Sequence, residues 1–155
     1  MDQEQIDKDQ FSEAKNKAFN LLSYRERTIK EMRDRLRKKD FSDSVINSVI
    51  DYLLEKDLLN EERFSEMWIR SRINNHPRGR KLIYKELKDK GVERKIINSA
   101  LNQYLKREKE VEMAILLRDK WLRRRSDEDI SSYKLKNYLA RKGFNYDIIY
   151  QITDK

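Results

Sequence analysis

The side chains in this sequence that could do chemistry are mostly arginines and lysines, and many of them lie in one window without acids. Between Glu66 and Glu86, 19 consecutive residues include no aspartate or glutamate. The basic residues of this window are Arg70, Arg72, Arg78, Arg80, Lys81 and Lys85, with His76 among them. Lys88 continues the face of Lys81 and Lys85 at helical spacing. Concentrated positive charge predicts a partner rich in phosphate or carboxylate groups.

The net charge of +8 is unevenly distributed along the chain. Residues 1–57 hold 12 basic and 13 acidic side chains, residues 58–107 hold 13 and 6, and residues 108–155 hold 11 and 9. A second, smaller cluster consists of Arg123, Arg124 and Arg125. The alternative for the middle window is a solvated face, although solubility does not require the loss of every acid. For the three arginines, the alternative is stabilisation of a helix C-terminus.

The sequence offers no residues for a catalytic or metal site. It has no cysteine, which excludes disulfides and thiolate metal ligands, and its single histidine is His76. Neither a Gly-rich phosphate loop nor a Ser/His/Asp nucleophile motif occurs. We therefore predict a binding protein that is not an enzyme and that needs no cofactor or metal.

The chain is predicted to be soluble and cytoplasmic. No apolar run approaches the ~18 residues that span a bilayer. The first residues are acidic and polar, unlike the basic start and apolar middle of a signal peptide. We expect no membrane partner.

A repeat of about 50 residues organises the elements that must position these charges. The stretches 32–50, 83–101 and 135–152 align without gaps at offsets of 51 and 52 residues. The aligned apolar positions are Leu36, Leu87 and Leu139, then Phe41, Val92 and Phe144. Each stretch reads as two helices joined by a tight turn, and the turns are Lys-Lys-Asp, Asp-Lys-Gly and Arg-Lys-Gly.

Local signals place the ends of these helices. Gly91 and Gly143 lie where a left-handed residue closes a helix, and Asp40 takes that place in the first turn. Thr28 and Glu31 form a capping box. Further N-caps are predicted at Ser12, Ser42, Asn60 and Asn145, and core packing is predicted for Trp68 and Trp121.

One further helix precedes each pair, so the sequence predicts an all-α protein of nine helices in three tandem three-helix repeats. We expect the repeats to form an elongated, curved helical array, because each unit is too small for an independent core. The predicted boundaries are 1–57, with a polar N-terminal tail, 58–107, the most basic repeat, and 108–155.

Several segments together resemble the bacterial RecX regulators. The similar segments are Leu-Leu-Ser-Tyr-Arg-Glu-Arg-Thr at 21–28, Leu-Asn-Glu-Glu-Arg-Phe at 59–64 leading to Gly79, Glu-Leu-Lys-Asp-Lys-Gly-Val at 86–92, and Tyr-Leu-Ala-Arg-Lys-Gly-Phe at 138–144. The similarity covers roughly residues 12–153. Arg25, Arg27, Arg72 and Gly79 match the usual family pattern. The departure is Asp40, where the family usually has glycine.

This resemblance implies a regulator of the RecA recombinase that binds along the groove of its filament on DNA. It implies an effect, mostly inhibitory, on ATPase, strand-exchange and coprotease activities in recombination, DNA repair and the SOS response. The expected partners are the RecA filament and single- or double-stranded DNA, and we expect a monomer. The alternative is an autonomous DNA-binding helical module that acts without a recombinase.

Overall fold

The computed structural model describes residues 2–153, and within them the chain forms nine α-helices and no strand. The helices are α1 Gln3–Tyr24, α2 Ile29–Lys38, α3 Asp43–Glu55, α4 Glu61–Asn74, α5 Arg80–Asp89, α6 Arg94–Tyr104, α7 Arg107–Arg123, α8 Ser132–Arg141 and α9 Tyr146–Thr153. A short 3₁₀ turn, Asp127–Asp129, lies between α7 and α8. The predicted all-α class and the three sets of three helices are confirmed.

Most of the predicted helix starts are observed. The hydroxyl of Thr28 accepts from the Glu31 N–H while the Glu31 carboxylate accepts from the Thr28 N–H, which completes the capping box. Ser42 caps α3, and the Asn60 side chain accepts from the Arg63 N–H at 2.9 Å. The prediction for Ser12 is wrong, because α1 begins nine residues earlier at Gln3, where the Asp2 carboxylate supplies the cap.

The turn between the second and third helix of each set has the predicted left-handed residue. Asp40, Gly91 and Gly143 have φ angles of 66°, 89° and 97°. A residue in this region ends a helix sharply, because its backbone turns away from the helix axis. The aligned leucines Leu36, Leu87 and Leu139 are each fully buried in front of these turns.

The chain divides into two compact units. The first contains the residues up to Phe64 together with Lys90–Val92. In it, α1 and α2 pack on α3, and the buried centre includes Ala14, Ala18, Met32 and Leu36. Each of these four side chains is completely buried, because the helices present one apolar stripe inward.

The second unit contains Ser65–Asp89 and Glu93 onward. Here α5 packs against α6, while α7, α8 and α9 pack on one another. Ile83, Leu87, Leu139, Ile148 and Ile149 are completely buried within it. The predicted core packing of Trp68 is only partly correct, because this side chain is half-buried whereas Ile69 beside it is completely buried.

A buried glutamate links successive helix sets in the same way twice. At the start of α4, Glu61 accepts the Ile29 N–H of α2 at 3.2 Å. At the start of α7, Glu110 accepts the Arg80 N–H of α5 at 2.7 Å. Ile29 and Arg80 are the first residues of their helices, so each carboxylate caps the helix of the preceding set. Neither contact was predicted from the sequence.

The two glycine turns also contact the preceding set. A Cβ atom at Gly91 would lie 2.9 Å from the Lys30 Cβ. At Gly143 a Cβ would lie 2.6 Å from the Leu82 backbone nitrogen, and at Gly79 it would lie 2.3 Å from the Gly143 carbonyl carbon. Two backbone hydrogen bonds hold this second approach: the Gly79 N–H donates to the Lys142 oxygen at 2.7 Å, and the Lys81 N–H donates to the Gly143 oxygen at 3.0 Å. Asp40 is exposed, which explains why a side chain is tolerated there.

Alanine substitutions at the three turns are expected to separate backbone strain from crowding. Asp40→Ala retains the left-handed strain alone and should lower the free energy of unfolding by less than about 1 kcal/mol. Gly91→Ala should cost more, and Gly143→Ala the most, roughly 3 kcal/mol or above, because a backbone atom blocks its Cβ. Urea unfolding of the three variants measures this order. Equal losses of stability at all three positions would contradict the crowding argument.

The pH dependence of stability is expected to report the contacts of Glu31. Burial alone would raise the pKa of this carboxyl, but the Arg25 hydrogen bond, the Thr28 N–H and the charges of Arg25 and Lys90 lower it to about 2. A lowered pKa stabilises the folded state above the unfolded value of about 4.3, and this contribution disappears as the pH falls towards 2.

In the Glu31→Gln variant, the free energy of unfolding measured with urea should therefore depend less steeply on pH between pH 5 and pH 2. The contribution removed at neutral pH is roughly 2–3 kcal/mol. Lys90→Gln, which removes one contributing charge at 3.3 Å, should give an intermediate slope. A Glu31→Gln slope identical to that of the unsubstituted protein would refute the assignment.

Candidate polyanion-binding groove

A groove of about 970 Å³ lies within the second unit. It lies between the α4–α5 loop, the C-terminal half of α7 and the outer side of α8. Its lining residues are Asn75, His76, Pro77, Arg78, Leu117, Lys120, Trp121, Arg124, Arg125, Asp129, Lys134, Asn137, Tyr138 and Arg141. We call this surface the basic groove, because six of these side chains are arginine or lysine and one is acidic.

The basic groove combines the two charge clusters that the sequence suggested separately. Arg78 comes from the acid-free window, while Arg124 and Arg125 come from the end of α7. The pKa of the Lys142 ammonium group, near the groove, is lowered mainly by burial. The positive charges of Arg78 and Arg141 lower this pKa further. Arginine guanidinium groups offer paired donors that match phosphate and carboxylate oxygens.

Aromatic rings form the floor of the basic groove. Trp121 is only 4% exposed, which confirms its predicted packing role. The Arg125 guanidinium lies 4.0 Å from the Trp121 ring centre and donates to the Trp121 carbonyl at 3.2 Å. The Tyr138 ring lies 6.4 Å from that of Trp121. These contacts orient Arg125 without neutralising its charge, since a ring and a carbonyl are uncharged partners.

Two arginines of the acid-free window are engaged by the acids that flank it. Arg72 forms two hydrogen bonds of 2.9 Å with the Glu86 carboxylate and lies 4.6 Å from the Trp68 ring centre. Arg70 pairs with Glu66 at 3.0 Å. The Arg72 side chain is 19% exposed, so this residue stabilises the fold. The structure supplies no support for a partner contact at Arg72.

The remaining residues of the window point to other surfaces. Arg80 and Lys81 line a smaller pocket of about 270 Å³ with Tyr84 and Asn145. Lys85 and Lys88 are exposed on α5, opposite the buried Ile83 and Leu87 as predicted. Arg123 is exposed in the last turn of α7 and does not line the groove.

Arg25 and Arg27, the residues before α2 that the family resemblance suggested, both form contacts within the fold. Arg27 is 7% exposed and donates to the Leu21 carbonyl at 3.3 Å. Burial lowers the pKa of its guanidinium. Arg25 forms a two-bond ion pair with Glu31, 2.8 and 3.2 Å long. These contacts join α1 to α2, and the burial of Arg27 does not fit a role in contacting a partner.

Three basic residues of the groove were not predicted from the sequence, namely Lys120, Lys134 and Arg141. Lys120 lies one helical turn before Arg124, and Lys134 lies two turns before Arg141. The sequence spacing of i, i+4 and i, i+7 places each of these pairs on one face of its helix. The sequence did not predict that they lie close to Arg78, because this proximity depends on the contact between Gly79 and Gly143.

Neither a metal site nor a membrane-spanning helix is found among the described residues. Among residues 2–153, no group of histidine and acidic side chains is arranged to hold a metal ion. None of the helices in this range is both long and apolar enough to cross a membrane.

Fold and groove together define a tandem three-helix-repeat protein with a concentrated positive surface. The models for the first, second and third three-helix domains of RecX match residues 14–53, 60–101 and 108–153. The chain therefore belongs to the RecX family.

Relatives and solved structures agree with this assignment. The chain is 32% identical to the regulatory protein RecX of Clostridioides difficile, covering 97% of this chain and 71% of the relative. It is 35% identical to that of Mycolicibacterium smegmatis, covering 91% and 78%. A crystal structure of RecX from Lactobacillus salivarius superposes with a TM-score of 0.81 at 34% identity, over 94% of this chain and 96% of that one. These relatives are named as regulatory proteins.

Some relatives are considerably longer than this chain. The RecX protein of Bacillus cytotoxicus is 37% identical over 85% of this chain, but the match spans only 49% of that relative. The longer relatives therefore contain sequence to which nothing in this chain corresponds.

Stability measurements are expected to distinguish the structural arginine from the groove arginines. Arg72→Gln leaves the half-buried Glu86 carboxylate without its paired donors and should lower the free energy of unfolding by about 1–3 kcal/mol. Arg124→Gln, at an exposed position, should change it by less than about 0.5 kcal/mol. Thermal or urea unfolding of both variants provides the comparison. An equal, small effect at both positions would contradict a structural role for Arg72.

Proposed function

We propose that this protein regulates the RecA recombinase by binding to its filament on DNA, and that the basic groove contacts the DNA phosphates or an acidic surface of the filament. Family membership over three consecutive domains is the observation that carries this proposal. The proposed action is mostly inhibition of ATP hydrolysis, strand exchange and coprotease activity. It takes place in the cytoplasm, during recombination, DNA repair and the SOS response.

The charge of the groove supports a role for it in this contact. Six cationic side chains converge around one cavity, and Asp129 is the single acidic lining residue. Each phosphate neutralised by a lysine or arginine releases condensed counterions, so binding through such a surface weakens steeply with salt. Asn75 and Asn137 add amide groups that can donate to phosphate oxygens. Contacts of this kind to phosphate carry no sequence information, so we expect binding that is independent of sequence.

Regulation without catalysis fits the same residues. The groove contains no nucleophile paired with a base and, among the described residues, no metal-binding cluster accompanies it. A protein of this kind acts by binding one state of its target more tightly than another. We propose that the protein acts as a monomer and without a cofactor.

The groove also suits the alternative function, a DNA-binding module that acts without a recombinase. The two functions differ in what the protein does to ATP hydrolysis. A recombinase regulator changes DNA-dependent ATP hydrolysis by RecA at concentrations comparable to that of the filament subunits. An autonomous module binds bare DNA but changes hydrolysis only by competing for the DNA.

A charge-reversal variant tests the groove directly. Replacing Arg78, Arg124 and Arg141 with glutamate should weaken binding to RecA–DNA filaments at least about tenfold and reduce the effect on ATP hydrolysis correspondingly. The dependence of log affinity on log salt should also become shallower, by about 0.7–0.9 for each phosphate that the variant no longer neutralises. Filament binding is measured by sedimentation or anisotropy, and hydrolysis by phosphate release.

The matched control reverses three exposed lysines outside the groove, Lys17, Lys38 and Lys56. This control has the same net charge as the groove variant, so a general electrostatic effect would weaken both equally. Equal weakening would remove the groove from the proposal. An unsubstituted protein that leaves ATP hydrolysis unchanged at stoichiometric ratios would refute the recombinase function itself.

A further inference from the structure

A second surface of the same unit has a different composition from the basic groove. The Tyr146 and Tyr150 rings stack one helical turn apart on α9, with their centres 6.2 Å apart and their planes inclined by 28°. The two residues are 61% and 49% exposed. Exposed aromatic pairs are uncommon without a binding role, because each ring leaves a large apolar area in water.

A lysine lies beside each of these rings. The Lys81 ammonium is 5.7 Å from the Tyr146 ring centre, and the Lys136 ammonium is 4.6 Å from the Tyr150 ring centre. Long lysine side chains can swing away from a ring face at little cost, since an exposed cation–π contact contributes only about 0.5–1 kcal/mol. Lys81 can thus leave its ring and meet an anion, since its backbone remains part of α5.

A small pocket adjoins the tyrosines. Its lining residues are Arg80, Lys81, Tyr84 and Asn145, and its volume is about 270 Å³. Asn145 directly precedes Tyr146, and Lys81 is shared between the pocket and the ring pair. The pocket therefore extends the aromatic surface with a third ring, an amide group and a guanidinium.

Asp147, an acid beside the rings, is paired with an arginine. Asp147 lies between the two tyrosines in sequence, and its carboxylate accepts from the Arg107 guanidinium at 2.8 Å. That hydrogen bond is the main reason why the pKa of Asp147 is lowered. Because Asp147 is paired with Arg107, its carboxylate opposes the cations beside the rings only weakly.

We infer that Tyr146 and Tyr150, with Lys81 and Lys136, form a platform for the unpaired bases of a single-stranded nucleic acid. Bases stack on the exposed rings, while the two ammonium groups contact the flanking phosphates. Exposed aromatic rings together with nearby cations are the arrangement by which proteins bind single strands without sequence preference. A duplex does not fit this description, because its bases are stacked on each other and expose only their edges.

This inference does not depend on the recombinase function, because the platform binds its strand with the isolated protein. It also assigns to α9 a role separate from that of the basic groove. The groove would attract any polyanion, whereas the platform distinguishes unpaired from paired bases.

The test compares the double variant Tyr146→Leu/Tyr150→Leu with the unsubstituted protein by fluorescence anisotropy of labelled oligonucleotides. Leucine retains apolar bulk and favours helix, but it lacks a planar face. Affinity for oligo-dT should fall about tenfold or more in the double variant. Oligo-rU serves as a second arm, and the strand whose affinity falls further identifies DNA or RNA as the source. Circular dichroism and thermal unfolding verify that the variant is folded.

An abasic oligonucleotide with the same number of phosphates separates stacking from charge. The unsubstituted protein should bind the abasic strand about as weakly as the tyrosine variant binds oligo-dT. The tyrosine variant should bind the abasic strand and oligo-dT with the same affinity. A duplex should bind equally to both proteins. Lys81→Gln/Lys136→Gln should instead weaken the binding of dT and abasic strands alike, with a salt dependence shallower by about 0.7 for each phosphate left without its lysine.

The matched control is Tyr24→Leu/Tyr133→Leu, which removes two other exposed tyrosines, 77% and 74% accessible, and should leave oligo-dT affinity unchanged. The inference is overturned if the tyrosine variant binds oligo-dT and oligo-rU normally, or if the unsubstituted protein binds abasic strands as tightly as oligo-dT. Normal oligonucleotide binding with weakened binding to a RecA filament would overturn it too, and would identify the surface as a protein contact.

Discussion

The close approach of two main-chain segments at Gly79 and Gly143 is the constraint on which the basic groove and the smaller pocket both depend. Neither position has room for a Cβ atom, and the paired hydrogen bonds from Gly79 and Lys81 hold the start of α5 against the α8–α9 turn. Arg78 precedes this contact and lines the groove, while Arg80 and Lys81 follow it and line the smaller pocket. Glu110 strengthens the same position by capping α5, although burial raises the pKa of its carboxyl.

The distribution of charge on the surface differs from its distribution along the chain. Glu66 and Glu86 border the acid-free window, yet both fold back onto arginines inside it. The positive potential of the window is therefore carried by its loop and the start of α5, and it is completed by side chains of α7 and α8. A charge total for one repeat thus predicts a polyanionic partner, but it does not predict which side chains would contact that partner.

Periodicity and turn chemistry predicted the fold well, because both are local properties of the sequence. The helix sets, the capping box of Thr28 and Glu31 and the left-handed residues were all correctly predicted. Ser12 was misassigned, because the polar residues before it continue the helix without an apolar signal. The groove and the capping by Glu61 and Glu110 were beyond prediction, since they join residues about 30 or more positions apart. Arg72 illustrates the same limit: its guanidinium is occupied by an acid 14 positions away.

The contrast between Asp40 and the two glycines shows what a turn requires if a further three-helix set is to pack against it. A turn that receives another three-helix set must carry glycine, whereas a turn facing solvent can carry any residue that tolerates a positive φ. Grafting a further set ahead of α1 would therefore demand a change at position 40 as well as a buried glutamate within α1, where Gln10 lies 51 residues before Glu61. In a protein with more three-helix sets, the residue in each of these turns would show whether another set packs against that turn.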